Sequence, residues 1–463
     1  MPGLHQTAHM NSPAKRNDYL CIVLVLAFGL LAQWLLILNP GYFSHDELQR
    51  AVASDAPSIA SMHWVSWTDV SPLQYRPLTL NLWLVVSHLA FDHPLAYHGL
   101  WVLIGVLEGA LFFLLLRRMA VSRTVAVVAA LAFLLNPYAA YTLGWVATLA
   151  DLLWVGAALS LGWLLLRCEQ ESGSLRTAAV GALVLTTLAL LAKESGIVIP
   201  VLLAIAWLLS GKRAVWRTAM IFSAMPVLVY LALRLHIILF SPRTPGIYQW
   251  SLHAMPTRWL EYQLYALLPD IFESINTLTA PISQLVLAGA GYLLLLWAIW
   301  RSHRGAAIFF VLGGAAALGP VLLLDSASNQ YGYGFFAVLV GSIAVAYRTL
   351  PPLMGRLLLA PMLALVVLHS YNTDKMMYSI GQRQAVFSPA LASVVKATTS
   401  TPVRLRPPAN DEWVYLRLTH EIPRYHGVPI GDRVRLVAFG EAADYTIASD
   451  GSLKKDTQQP TSK

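Results

Sequence analysis

Phe43-Ser44-His45-Asp46-Glu47 ends on two adjacent carboxylates just beyond an apolar run, residues 20–38. A run of that length crosses the hydrocarbon core of a bilayer, which takes about 20 residues as a helix. The pair therefore sits at a membrane boundary, where a wet cleft can use carboxylates as a base or as ligands. How the rest of the chain is threaded decides whether such a cleft exists.

Of the 463 residues, 57% are hydrophobic and only 12% charged, a balance outside the range of soluble globular domains. The net charge of +8 does not mark a nucleic-acid binder, because the basic residues sit in short loops between apolar runs. Cys21 and Cys168 supply neither a disulfide framework nor a thiolate metal site. The first run is preceded by Lys15 and Arg16 and lacks a small-residue cleavage pattern after it, so it reads as a retained helix and not a signal peptide.

Ten further runs follow: 96–116, 125–141, 145–166, 177–191, 196–209, 219–240, 285–300, 306–324, 332–347 and 357–368. The expectation is an all-α polytopic membrane protein of about 11 transmembrane helices, the shorter ones tilted or re-entrant. One set of loops holds Lys15, Arg16, Arg117, Arg118, Arg123, Arg167, Arg176, Lys212, Arg213, Arg217, Arg301, Arg304, Arg348 and Arg356. Positive loops face the cytoplasm. The N-terminus is then cytoplasmic, and the loop 39–95, the loop 241–284 and the tail after Leu368 are external.

Segment 76–91, with Pro77 at a first helical turn, is too short to span. It would also invert every later loop if it did, so it is expected to lie at the external interface. The membrane module is placed at 1–371 and a small external domain at 372–463. In the tail, Glu412-Trp413-Val414-Tyr415-Leu416-Arg417-Leu418 and Arg433-Val434-Arg435-Leu436-Val437-Ala438-Phe439 have strand character. Ser449-Asp450-Gly451 is a turn signal, and the residues from Ser452 onward read as disordered.

Ionisable residues at membrane depth are costly and often functional. Asp46 and Glu47, Asp151, Lys193-Glu194-Ser195, and Arg234 with His236 all converge on the external half of the bilayer. Each has a structural alternative. The first pair is a solvated loop start, Asp151 a helix cross-link, Lys193-Glu194 a charged turn, and Arg234 a side chain snorkelling to head groups. Glu108 and Asn136 read as helix-contact groups, and Tyr75, Tyr97, Trp64 and Trp67 as interfacial anchors. His63, His88, His93 and His98 lack compact ligand spacing, so no metal site is assigned.

A carboxylate at a wet surface takes a proton from a hydroxyl, and arginine or lysine holds a phosphate leaving group. A lipid phosphate would place its phosphate near this external plane and its tail between the helices. The same groups also permit a phosphatase or a non-enzymatic lipid or sugar translocator. A scaffold whose tail binds partners is a further alternative.

These stretches resemble the GT-C superfamily of polyprenyl-phosphate-sugar-dependent glycosyltransferases, most of all the protein O-mannosyltransferase-like branch. The matching pieces, in family order, begin with Phe43-Ser44-His45-Asp46-Glu47, Tyr75-Arg76-Pro77-Leu78-Thr79 and Phe91-Asp92-His93-Pro94-Leu95-Ala96-Tyr97-His98. They continue with the segment from Trp145 to Asp151, then Leu191-Ala192-Lys193-Glu194-Ser195-Gly196-Ile197-Val198-Ile199-Pro200, and finally Gln330-Tyr331-Gly332-Tyr333. The resemblance implies a GT-C-type membrane fold with interfacial helices in the first external loop and a small C-terminal periplasmic domain. It implies an acidic base in that loop, at Asp46 or Glu47, and a polyprenyl-phosphate-linked sugar donor. The acceptor would be a hydroxyl-bearing glycan, lipopolysaccharide component or exported protein such as a pilin. Arg234, Lys193 and Arg76 become candidates for the donor phosphate. Asp151, Glu194, Tyr75, His98 and Tyr331 become supporting residues, with Glu194 able to hold Lys193 in place. No cofactor is assigned, and members of the family differ over a divalent metal. The tail lacks tetratricopeptide repeats and suits a bacterial inner-membrane member.

Overall fold

The computed structural model describes residues 13–171, 173–242, 249–398 and 402–456. Helix α1 (Pro13–Ala32) leads to the first loop, which holds α2 (His45–Gln49) and α3 (Pro77–Ala90). Proline occupies the first turn of α3, where its missing N–H costs nothing. Then come α4 (Pro94–Arg118), α5 (Arg123–Leu134), α6 (Pro137–Gly144), α7 (Leu149–Gln170), α8 (Leu175–Ala192), α9 (Ile199–Leu209) and α10 (Ala214–Phe240). A second loop carries α11 (Met255–Leu264). It is followed by α12 (Ile282–Ser302), α13 (Arg304–Leu323, with a π-helical turn), α14 (Gly332–Ala346) and α15 (Ala360–Ala397).

Among the described residues seven helices are long and apolar enough to cross a membrane: Pro94–Arg118, Val146–Gln170, Leu175–Ala192, Ala214–Phe240, Ile282–Ser302, Arg304–Leu323 and Gly355–Ala397. An eighth is the pair α5 and α6, bent by 57°. Asn136 and Pro137 cause that bend. The Asn136 side chain accepts from the N–H groups of Tyr138 and Ala139, capping α6, and donates to the Phe133 carbonyl of α5 at 2.7 Å, so it joins the two helices as expected of a helix-contact group. The expected eleven spans therefore reduce, by length and composition, to seven or eight. The remaining three runs form the shorter apolar helices Asn17–Ala32 and Glu194–Leu209 and the 15-residue α14.

The basic loops gather on one face. Asp18 pairs with Arg117 and Arg123, Glu171 with Arg118 and Arg167, and Glu169 with Arg213. This joins the start of α1, the α4–α5 turn, the end of α7 and the start of α10. The opposite helix ends, after α1 and α8 and before α4 and α7, meet on the face that carries Asp46.

Helix α15 runs unbroken across residue 371 and far beyond Leu368. It delivers the chain to a small sheet of order β4-β1-β5-β6: β1 Val403–Arg406, β4 Val434–Leu436, β5 Tyr445–Ile447 and β6 Leu453–Lys455. β1 lies parallel to both β4 and β5, and β5 antiparallel to β6. A parallel pair requires a crossover, and helix α16 (Glu412–Thr419) supplies part of it. The strand expected at residues 412–418 is thus a helix. Val414, Tyr415 and Leu418 share its buried face, and Tyr415 packs on Phe387 of α15. The turn at Ser449-Asp450-Gly451 joins β5 to β6, with Gly451 at φ 92°. Residues 453–455, expected to be disordered, form β6; residues 457–463 lie outside the described residues. A two-stranded ribbon, β2 (Arg424–Tyr425) and β3 (Val428–Pro429), turns through His426 and Gly427, both at positive φ. That is the backbone a two-residue hairpin loop demands.

Candidate functional site

Ser44 precedes α2, and Glu47 at the third helical position reaches back to accept the Ser44 N–H at 2.9 Å, one half of a capping box. The other Glu47 oxygen accepts the Val146 N–H at 2.9 Å, just ahead of α7. The side chain is fully buried. Burial, reinforced by the Asp46 charge, raises the Glu47 carboxyl well above its ordinary range, and the two N–H donors pull it back. Both oxygens thus join the loop to α7, and the side chain has no exposed surface.

Asp46, next in line, is 31% exposed, and its carboxylate lies 3.6 Å from His45 Nε2. Of the two carboxylates, Asp46 is the one presented to solvent. The His45 ring lies 5.4 Å from that of His420, from the turn after α16. Burial lowers the His45 pKa, and Asp46 opposes that shift. Arg417 of α16 places its guanidinium 4.8 Å from the Phe43 ring and pairs with Glu273 at 3.1 Å. The C-terminal domain therefore roofs the Asp46 loop. The ribbon tip reinforces this contact: Gly427 N–H donates to Asp55 and His426 faces Asp92 at 3.7 Å.

One turn beyond Asp46 stands Arg50. It lies 4.7 Å over the Trp83 ring, with its Nε buried and unpartnered and no ion pair among the described residues. Sequence reasoning missed it, although its i,i+4 spacing from Asp46 places both on one helical face. His420, Arg417 and Glu273 were also missed. No local pattern could link positions so far apart in the chain.

The remaining cations are committed to the protein. Lys193 Nζ contacts both Asp151 oxygens at 2.6 Å, and lies 4.5 Å over the Tyr331 ring. Lys193 and Asp151 are 2% and 3% exposed. Arg76 binds Glu194 through Nε at 2.8 Å and through a second, shorter contact. Arg234 is 1% exposed and donates to the carbonyls of Val70, Pro72 and Leu73. Tyr75 lies beneath it, with its hydroxyl on the Trp67 carbonyl at 2.6 Å. Lys193 and Arg234, the expected phosphate contacts, are both engaged by groups of the fold. Desolvation forces each to take its partners from the fold, one as a helix cross-link and the other as a clamp on the loop 70–75. Glu194, expected to hold Lys193 in place, pairs directly with Arg76, and its charge still acts on neighbouring Lys193. His98 is fully buried and bonds the Gly41 carbonyl through Nε2 at 2.8 Å, anchoring the start of the loop. His236 faces Phe240 and takes no part. Glu108 accepts from the Tyr333 hydroxyl at 3.0 Å, a helix contact as expected. Among the described residues no three His, Cys, Asp or Glu side chains are grouped as metal ligands.

No protein-family model matches the chain, and no curated protein does. Solved structures do. The apo structure of ArnT from Cupriavidus metallidurans aligns with a TM-score of 0.51 at 14% identity, over 91% of this chain and 86% of that one. The structure of the same protein bound to undecaprenyl phosphate aligns with a TM-score of 0.52 at 15% identity, over 90% and 85%. At this identity the likeness is one of fold. It does not single out the O-mannosyltransferase-like branch.

Proposed function

We propose that this protein transfers a monosaccharide from a polyprenyl-phosphate carrier to a hydroxyl acceptor, a glycan or an exported protein. The observation that carries this reading is a half-buried Asp46 with Arg50 one helical turn away, Arg50 having no ion pair among the described residues, in a fold shared with a protein solved with undecaprenyl phosphate. Asp46 takes the acceptor proton as its oxygen attacks the anomeric carbon. The bond from that carbon to the carrier phosphate breaks, and Arg50 offsets the charge developing on the leaving phosphate. Arg76, held by Glu194 through two contacts, is a further candidate for the donor phosphate. Lys193, Asp151, Glu194, Tyr331, Arg234, Tyr75 and His98 hold the surrounding loops in place.

In this reading the chain crosses a bacterial inner membrane eleven times. The shorter helices α1, α9 and α14 also cross, because their ends meet the same two faces as the long ones. The arginine-rich face is then cytoplasmic and the Asp46 face periplasmic. The test is Asp46→Asn in purified protein, given a polyprenyl-phosphate sugar and cell-envelope acceptors. Transfer should fall by about 10²–10⁴ with the melting temperature unchanged. Full transfer by the variant would remove Asp46 from the mechanism, and no transfer by the parent protein to any acceptor would favour a translocator.

A further inference from the structure

Between α5, α11, α12, α14 and α15 lies a groove of about 340 Å³, within the size range of ligand sites. Its walls are apolar side chains such as Val128, Ala132, Leu339 and Met362. Its inner end keeps the Gln263 Oε1 and the Tyr292 hydroxyl buried and unpartnered, so the protein itself does not fill it. Its outer mouth is formed by Thr124, Tyr347 and Arg356, on the face of the arginine-rich loops and opposite Asp46.

The dimensions and the charge narrow the occupant. From Arg356 to Val366 the helical wall rises about 15 Å at ~1.5 Å per residue. That is half of the ~30 Å hydrocarbon core, the depth of a single leaflet. Arg356 is exposed and has no ion pair or hydrogen bond among the described residues. Arg348 follows the groove residue Tyr347, and the segment 340–360 contains no acidic residue.

We propose that this groove seats one hydrocarbon chain of an anionic phospholipid, with its phosphate on Arg356. The site is separate from the Asp46 site, and its occupancy does not depend on the transfer reaction. A basic mouth between membrane helices is the arrangement that retains acidic head groups.

The experiment is native mass spectrometry of the intact protein in detergent, titrated with phosphatidylglycerol and phosphatidylethanolamine. The parent protein should retain phosphatidylglycerol about fivefold more strongly, the equivalent of ~1 kcal/mol for one arginine. Arg356→Gln should erase that preference, and Ala132→Phe should reduce retention of both lipids. Arg356 has no ion pair or hydrogen bond among the described residues, so its variant is expected to fold as the parent does. Equal retention of the two lipids by the parent protein, or an unchanged preference in Arg356→Gln, overturns the proposal.

Discussion

Asp46 and Glu47 are neighbours in sequence with opposite fates, and the difference can be measured. Glu47→Gln keeps one acceptor oxygen but turns an N–H donor toward a backbone N–H. It should cost about 1–3 kcal/mol, read as a lower melting temperature. Asp46→Asn should leave that temperature unmoved. Arg50→Ala should raise the KM for the lipid-linked donor more than it changes acceptor use, with Arg50→Lys intermediate, since lysine keeps the charge and loses the planar fork. An unchanged donor KM would reduce Arg50 to a partner of Trp83. The Lys193–Asp151 pair belongs to another class. Lys193→Met alone strands a buried carboxylate at a cost of about 3–5 kcal/mol, whereas pairing it with Asp151→Leu should recover most of that loss. A double variant as unstable as the single would show that more than charge pairing is at stake. The convergence of these residues was legible in the sequence, because ionisable groups stand out against apolar runs. Their roles were not legible, because the sequence does not say which charge finds a partner first.

At the scale of elements, the contact between α2 and α16 depends on pH. His45 packs against His420 with Asp46, Arg417 and Glu421 nearby, and its pKa is lowered in the folded protein. A lowered folded pKa means that the unfolded or detached state binds the proton more tightly. The contact is then fully stable above the ordinary value of 6.5 and weakens as the pH falls through 6.5 toward the lowered value. Amide exchange in α16 should accelerate over that window in the parent protein and stay flat in His45→Gln; parallel profiles would assign the effect to another group. Helix α3 and the gathering of the basic loops on one face could be read from Pro77 and from the basic residues, because caps and charges act locally. The alternating pattern at residues 412–418 misled, since its apolar positions serve a helical face as well as a strand face. Only the parallel pairing of β1 with β4 settles the matter, and that pairing is not local.

At the scale of the whole molecule, the first loop leans on the last long helix. Asn39 bonds the Met377 carbonyl at 3.2 Å, and the Tyr42 N–H bonds Gln384 at 2.8 Å. Gly41 and Gly381 face each other so closely that a Cβ on Gly381 would overlap the Asn39 side chain, and one on Gly41 the Gly381 carbonyl. Gly381→Val should therefore push the loop off its seat. Proteolysis within residues 40–60 should increase and activity should fall, while the helix content by circular dichroism holds. Unchanged proteolysis would mean that α1 and α4 suffice to hold the loop. The apolar runs and their order were visible from composition alone. This long-range closure was not, because a glycine in an apolar helix carries no sign of what will approach it.

That closure also sets when the protein becomes competent during its synthesis. Asp46 leaves the ribosome early, but the surface that holds its loop is made more than three hundred residues later. A nascent chain, or one cut short by a premature stop, carries the acidic pair without the geometry to use it. Competence arrives only once residues 377–384 have been made.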